Sequence, residues 1–445
     1  MLSPSPSLVS RWRSIRPIVW QLGAYAAFWA QVSLFTDLRG HFSPYLQPLL
    51  LAGAALLLSL FAVLHFLHRP APEALSPARS ANRLVWGGLA LLLGGAWVLY
   101  YQAPNIVNSP VDVRYSDVIP IVQNYVGRFR SGEVVYRYIT NLPYPLFPNH
   151  LPLQWLPYVL PDELGLDYRW WSLGLLLLLG FGAWQVALAQ QRIGWLEFAL
   201  KALLPAFVLV RILKHDPFIY AQVLEPTIIA YYCVLAASVL SRSALAQAAA
   251  LVLCLLSRYS VVLWVPFYIW VLWREAGRRH ALVVAGLTLL GIVGLYVVPF
   301  LSKDWTIFTH ALNEYRIATV GEWSRSDGPG GNPDHIFNGL GMASWFYSYA
   351  PGDLLHKITW LQRIHLLAGS ATVLAGAALY WRLRHRLDYR LLALVALQLY
   401  LTVFYLFLQI PYAYLFSLTL FTSAFLVLAV GGSWWRPAPV AQAPV

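Results

Sequence analysis

The short stretch RYSDVIP, residues 114–120, carries a carboxylate, Asp117, soon after a strongly hydrophobic run. A carboxylate at such a place can accept a proton as a general base, or it can accept backbone N–H groups as the N-cap of a following helix. Ser116 before it and Pro120 three residues later suit the capping role. Asp112 lies about 140° away from Asp117 around a helix at ~100° per residue, so the two would not share a helical face. These residues alone leave the base and the cap open.

A second group of ionisable side chains surrounds the start of a later hydrophobic run. It occupies RILKHDPFIYAQVLEP, residues 211–226, and the short stretch SRYS, residues 257–260. Its candidate functional members are Arg211, Lys214, His215, Gln222, Glu225 and Arg258. An ionisable residue near membrane depth is a functional candidate by default, and Glu225 is the clearest one. Its alternative role is a structural ion pair with Arg211 or Arg258, and both roles stay open.

The composition indicates what surrounds these groups. Of the 445 residues, 59% are hydrophobic and 11% are charged, against roughly 25% charged in a soluble domain. Hydrophobic stretches of the ~20 residues that cross a bilayer recur along the chain. We therefore predict an all-α polytopic membrane protein that forms a single transmembrane domain, 1–445. Both cysteines, Cys233 and Cys254, fall inside hydrophobic stretches, which argues against a disulfide. The net charge of +12 comes mostly from basic loops, and no basic patch interleaved with aromatic residues indicates a nucleic-acid partner.

About twelve membrane spans are predicted, within a range of about ten to thirteen. They cover residues 18–36, 45–67, 84–101, 171–190, 197–213, 218–240, 244–257, 260–273, 281–300, 359–381, 389–408 and 412–431. Pro205 is expected to break the helix of the span 197–213. The two spans between 244 and 273 must form a tight hairpin around SRYS.

The Lys and Arg residues of the short loops set the predicted orientation. They concentrate in segments such as 11–16, 274–279 and 382–386, which predicts that both termini lie in the cytoplasm. Most Asp and Glu residues fall on the opposite side. We therefore expect any chemistry to take place at the outer face.

Two long outer loops, 102–170 and 301–358, interrupt the spans, and loops of this length are usually functional. In the first loop, apolar residues recur with a helical period from Asp117 as far as Gly132. This pattern predicts a short amphipathic helix that lies along the outer membrane interface.

Proline and glycine dominate the rest of both loops. Six prolines between residues 143 and 161 exclude a regular helix and a ladder-forming strand. Irregular backbone next to a membrane should line a cavity, because lipid would leave its carbonyls unpaired. In the second loop, the glycine- and proline-rich stretch SRSDGPGGNPDH at 324–335 predicts that the loop 301–358 acts as a mobile lid.

The order of these features resembles the GT-C superfamily of integral-membrane glycosyltransferases. The matching features are an aspartate near the end of an early span, an interfacial helix, SGEVVY at 131–136 and YPLFPNHLPLQWLPY at 144–158. YAQVLEP at 220–226, followed by LSRYS ahead of VVLWVPFYIWVLWR, is similar to bacterial members that use polyprenyl-phosphate sugars. The resemblance covers a core at residues 84–431. The chain departs from the family in an additional N-terminal hairpin, 18–67, and in lacking the adjacent acidic pair of some members.

The resemblance implies an inverting transfer of a sugar from a polyprenyl-phosphate donor to an acceptor at the outer face of a bacterial plasma membrane. Asp117 matches the family's general base, with Asp112 as the substitute. Arg211, Lys214 and Arg258 resemble contacts to the donor phosphate. The other substrate-binding candidates are His215, Gln222, Glu225, Tyr136, His150 and Arg128.

The donor is a substrate, so the resemblance implies no firm cofactor. The sequence shows no metal-ligand spacing, and it leaves the question of a divalent metal open. The implied partners are the lipid-linked donor, membrane lipid and an unidentified acceptor. His150 has the alternative role of a hydrogen-bonded loop residue.

A transporter or flippase of lipid-linked sugars is the alternative function, because many spans and Glu225 would suit it as well. Two features argue against it. The halves of the chain show no repeat, and irregular polar sequence concentrates in outer loops, whereas transport sites are expected near the midplane. A non-catalytic assembly partner is a third alternative.

Overall fold

The computed structural model describes residues 8–68, 80–191 and 193–431, and these are helical throughout apart from turns and loops. β pairing among them is limited to an isolated bridge between Ile139 and Leu146. Both chain termini, which the sequence predicts to be cytoplasmic, lie outside the described residues. The helices are α1 Leu8–Phe35, α2 Leu46–His68, α3 Ser80–Asn108, α4 Val118–Arg130, α5 Pro152–Trp155, α6 Val159–Glu163, α7 Tyr168–Leu175, α8 Gly182–Ala189, α9 Trp195–His215, α10 Glu225–Leu240, α11 Ala244–Leu255, α12 Trp264–Glu275, α13 Arg278–Ile292, α14 Ile307–Trp323, α15 Asp334–Phe337, α16 Ala343–Tyr349, α17 Leu354–Leu383, α18 Tyr389–Leu406 and α19 Ala413–Ala429.

Seven helical segments among the described residues are long and apolar enough to cross a membrane. They are Pro17–Phe35, Leu46–His68, Asn82–Asn108, Tyr168–Ala189, Arg278–Val297, Leu354–Leu383 and Tyr389–Leu406. These helices agree with the predicted all-α membrane protein. The other five predicted spans correspond to α9, α10, α11, α12 and α19, so twelve crossings stay a prediction.

Helices α10, α18 and α19 form the centre of the bundle, and their side chains are buried almost throughout. The hairpin of α1 and α2 packs against α18 and α19. In that contact Ser59 Oγ donates to Gln398 Oε1 at 2.7 Å. By contrast, α13 and α17 leave most apolar side chains exposed, as a helix in contact with lipid does.

The prediction that Pro205 breaks a helix is wrong. Helix α9 continues through Pro205 from Trp195 to His215. A proline has no N–H for the carbonyl four residues earlier, which here belongs to Lys201. The indole N–H of Trp184 donates to that carbonyl at 2.9 Å. Because a neighbouring helix supplies this donor, the helix tolerates the proline.

Replacing Trp184 by Phe removes the indole donor, so we expect a loss of ~1–3 kcal/mol in unfolding free energy. In a Pro205→Ala background the backbone regains its own N–H, so the same replacement should cost less. Denaturation of the four proteins in detergent measures both costs. Equal losses in the two backgrounds would show that Trp184 acts only by packing.

The predicted span 218–240 is helical only from Glu225 onward. Residues 216–224 form turns and irregular backbone between α9 and α10. Pro226 occupies the first turn of α10, where its missing N–H costs no hydrogen bond. Glu225 therefore lies in the first turn of the helix, where the helix dipole favours a negative charge.

Helix α4 confirms the amphipathic helix predicted in the first outer loop, since it begins directly after Asp117 and ends just before Gly132. The exclusion of helix by the prolines is wrong for residues 152–163, which form α5, a 3₁₀ turn and α6. Pro152 and Pro157 occupy the first positions of their helical turns, and such positions need no N–H. These helices have only four and five residues, and residues 140–150 are irregular.

The second long loop, 301–358, is mostly helical and is attached to the connection between α18 and α19. The amide of Leu340 donates to the Pro411 carbonyl at 3.0 Å, and the amide of Met342 donates to the Leu406 carbonyl at 2.6 Å. A Cβ on Gly339 would lie 2.3 Å from the Pro411 carbonyl oxygen, so this approach requires glycine. The longest segment of this loop without regular α-helix is 324–333, and the lid stays a prediction.

Candidate functional site

A cleft of about 1020 Å³ lies at the end of the bundle where the two predicted outer loops meet. The first loop contributes residues 113–118 together with Tyr144, and the second contributes residues between 317 and 339. The connections between α1 and α2, between α9 and α10 and between α18 and α19 complete the lining. Antiparallel helices bring their connections to the same end, which explains why residues so far apart in sequence surround one cleft.

Asp117 occupies the N-cap position of α4, but its side chain makes no capping hydrogen bond. The carboxylate accepts a hydrogen bond from the hydroxyl of Tyr144 instead, and both residues line the cleft. Burial, followed by the Asp117 carboxylate, raises the pKa of Tyr144, so the phenol remains a donor. The geometry therefore does not support the capping role, and it leaves a carboxylate directed into the cleft.

The other acidic side chains of the cleft have different partners. Asp216 pairs with Arg39 at 3.2 Å, and Glu322 pairs with Arg325 at 3.0 Å. Asp334 accepts a hydrogen bond from the side-chain amide of Asn338 at 2.6 Å. Within the described part of the chain Asp117 forms no ion pair. A neighbouring cation holds a carboxylate in its ionised form and weakens it as a base, so the absence of an ion pair suits a base.

Asp112, the substitute candidate, lies outside the cleft lining. Its carboxylate accepts hydrogen bonds from the guanidinium of Arg114 at 2.6 Å and from the Arg114 amide at 2.9 Å. These hydrogen bonds lower the pKa of Asp112. Of the two aspartates, Asp117 is the better placed as a base.

Glu225 and Arg258 form a bidentate ion pair, with both oxygen–nitrogen distances at 2.7 Å. The Glu225 side chain is only 2% exposed. The pair lines a small cavity of about 120 Å³, which shares three lining residues with the cleft: Val118, Val223 and Tyr414. Of the two ion pairs that the sequence allowed for Glu225, the structure contains the one with Arg258.

The remaining basic candidates do not line the cleft. Arg211 pairs with Asp37 and lies over the Trp29 ring, and the Lys214 ammonium lies 4.9 Å from the centroid of Tyr101. His215 is the last residue of α9 and is also outside the lining.

Gln222 does line the cleft, and its amide donates to the Pro110 carbonyl at 3.3 Å. It lies on the connection between α9 and α10. Of the polar residues predicted for substrate binding, it is the one that shares the cleft with Asp117.

Arg128 and Tyr136 hold the first loop together. The Arg128 guanidinium donates to the carbonyls of Val135, Arg137 and Tyr138, at 3.1, 2.5 and 2.8 Å. The Tyr136 hydroxyl donates to the backbone carbonyl of His150, in the same loop, at 3.0 Å. Neither residue lines the cleft, so their observed contacts are structural.

His150 lines the small cavity beside the Glu225–Arg258 pair. Its Nδ1 and the Tyr125 hydroxyl are 3.0 Å apart, which agrees with the hydrogen-bonded loop role. Burial, aided by the positive charge of Arg258, lowers the pKa of His150 to about 4. The imidazole is therefore neutral in the folded protein near pH 7.

This lowered pKa predicts a pH dependence of stability. Between pH ~6.5, where an unfolded histidine titrates, and pH about 4 the unfolded state binds more protons, so stability falls as pH falls. The His150 contribution should be fully present above pH ~6.5 and reduced by up to ~3 kcal/mol near pH 4. His150→Gln should flatten this part of the curve, as measured by denaturation in detergent at several pH values. An unchanged slope in the variant would assign the pH dependence to other groups.

Several cleft residues had no role in the sequence analysis. They are Arg39, Tyr144, Asp216, Glu322, Arg325, His335, Tyr412 and Tyr414. The sequence does contain a signal for two of them. Glu322 precedes the glycine- and proline-rich turn of the second loop, and His335 ends it. Their convergence on Asp117 depends on long-range packing, which local sequence does not report.

Within the described ranges, no group of three or more His, Cys, Asp or Glu side chains is arranged to hold a metal ion. Comparison of the chain with protein-family models, with curated proteins and with solved structures gives no match.

Proposed function

We propose that the protein is a GT-C-type glycosyltransferase that moves a sugar from a polyprenyl-phosphate donor to an acceptor, with inversion and with Asp117 as the general base. The proposal includes about twelve crossings, cytoplasmic termini and a cleft at the outer face of a bacterial plasma membrane. Two observations support it: the resemblance of the sequence to that superfamily, and the geometry of the cleft.

The observation that carries the proposal is the Asp117 carboxylate, which enters a large cleft without a cationic partner among the described residues. A sugar on a lipid phosphate already has a good leaving group. The enzyme then needs a base for the acceptor hydroxyl and positive charge for the phosphate. A carboxylate that accepts only a phenol hydrogen bond suits the role of the base.

The positive charge can come from three arginines on the cleft wall, Arg39, Arg114 and Arg325. Guanidinium groups can hold phosphate oxygens in a bidentate geometry. The proposal therefore assigns the donor phosphate to these arginines instead of Arg211 and Lys214, which do not line the cleft.

Sealed vesicles containing the purified protein and a radiolabelled polyprenyl-phosphate sugar test the proposal. An envelope extract supplies the unidentified acceptor. We expect label to move from the lipid to a new product, with release of polyprenyl phosphate. Movement of intact donor across the bilayer without a glycosylated product would favour the transporter alternative.

A further inference from the structure

The second outer loop carries a histidine that a carboxylate orients at the cleft. His335 Nδ1 and Glu322 Oε2 are 2.7 Å apart, and the imidazole lies edge-on to the Tyr412 ring, with 4.6 Å between centroids. His335 lines the cleft and is 36% exposed. In the part of the chain that the structure describes, its other nitrogen, Nε2, makes no hydrogen bond. The ring is thus fixed on one side and available to a ligand on the other.

The Glu322–His335 pair and the Asp117–Tyr144 pair line the same cleft from different loops. The pKa of Tyr144 is raised first by burial and then by Asp117, and the more distant charges of Glu322 and Arg325 act on it in opposite directions. The two pairs are therefore within electrostatic reach of each other.

We propose that His335, oriented by its contact with Glu322, is a second catalytic residue that protonates the phosphate leaving the sugar. This inference rests on the proposed sugar transfer and extends it, since that transfer used the Asp117 base and arginines alone.

The protons and electrons of the step balance. The acceptor oxygen forms a bond to the anomeric carbon, and the bond from that carbon to the phosphate oxygen breaks, with its electron pair going to the phosphate. The acceptor proton moves to Asp117, and the proton on His335 Nε2 moves to the departing phosphate. His335 keeps its Nδ1 hydrogen bond to Glu322. Solvent then takes the proton from Asp117 and returns one to His335.

Proton transfer of this kind is nearly balanced in free energy. A phosphate monoester has a second pKa of about 6, and an ordinary imidazole titrates near ~6.5. A donor and an acceptor with such similar values exchange a proton at little cost. The charged and titratable groups that face His335 are Glu322, Arg325, Asp327, Asp334 and Tyr412.

The same loop contains a matched control pair. His356 Nδ1 and Asp353 Oδ1 are 3.0 Å apart at the start of α17, and neither residue lines the cleft. A substitution of His356 therefore removes an imidazole from a carboxylate without changing the cleft.

The first experiment measures sugar transfer between pH 5.5 and 8.5 for the wild type, His335→Gln, Glu322→Gln and His356→Gln. For the wild type we expect the rate to fall as pH rises, because the imidazolium is lost. His335→Gln should lose about 10²-fold in rate at pH 6.5, together with this fall. Glu322→Gln should also lower the rate, because His335 loses the charged partner that orients its ring. His356→Gln should match the wild type.

The second experiment measures binding of a polyprenyl methyl phosphodiester, which keeps one negative charge over this pH range. Wild-type affinity should decrease about tenfold from pH 6 to pH 8, and His335→Gln should bind weakly at both pH values. Affinity that does not change with pH in the wild type would overturn the role of His335.

The outcomes separate this inference from the proposed function. Wild-type transfer whose fall at high pH persists in His335→Gln overturns the role of His335 alone. No transfer by the wild type from any donor overturns the transferase and the histidine step together.

Discussion

Glu225→Gln is expected to lower the unfolding free energy by ~3–5 kcal/mol, because it leaves the guanidinium of Arg258 buried without its counter-charge. The ion pair is bidentate, and the Glu225 and Arg258 side chains are 2% and 20% exposed. Chemical denaturation of the purified variant in detergent measures the loss.

Two further variants of the chain serve as controls for this prediction. Glu225→Met combined with Arg258→Met removes both charges, so its stability should return close to that of the wild type. Asp37→Asn breaks the more exposed pair with Arg211, and it should cost at most ~1 kcal/mol. If Glu225→Gln costs no more than Asp37→Asn, the buried pair is not a major element of stability.

Asp117→Asn is expected to reduce sugar transfer by ~10²–10⁴-fold, the usual contribution of a general base. The amide keeps the size of the side chain and an oxygen that can accept the Tyr144 hydrogen bond. Folding should therefore be preserved while the proton-accepting carboxylate is lost. Initial rates with a radiolabelled donor, at matched amounts of folded protein, give the ratio.

Asp112→Asn is the matched control from the same loop. Asp112 lies outside the cleft lining and its observed partner is Arg114, so its loss should affect turnover only through Arg114 and far less than the loss of the base. An inactive Asp112→Asn beside an active Asp117→Asn would mean that the base has been assigned to the wrong aspartate. Activity in both would place the base elsewhere.

Local patterns predicted the elements whose structure depends on local chemistry. The helical period after Asp117 predicted α4, and Gly132 marked its end. Hydrophobic stretches located the membrane-type helices. The expectation that proline breaks a helix was wrong where a neighbouring segment replaces the missing hydrogen bond. The indole N–H of Trp184 does so for the helix that contains Pro205.

Asp117 could be predicted from the sequence, whereas most of the other residues of the candidate site could not. The sequence indicated Asp117 and the ion-pair alternatives for Glu225, of which Arg258 is the observed partner. It did not indicate that Tyr144 or His335 lines the same cleft. Such contacts join residues of different loops, and no spacing within either loop encodes them.

The proposed sugar transfer at this cleft is tested most directly by the balance of products that the purified protein forms from a panel of polyprenyl-phosphate sugars. For at least one donor, we expect one polyprenyl phosphate to be released for each sugar that appears on an acceptor. Asp117→Asn should suppress both products together. No product from any donor, or equal product formation by the wild type and Asp117→Asn, would contradict the claim that this cleft carries out sugar transfer.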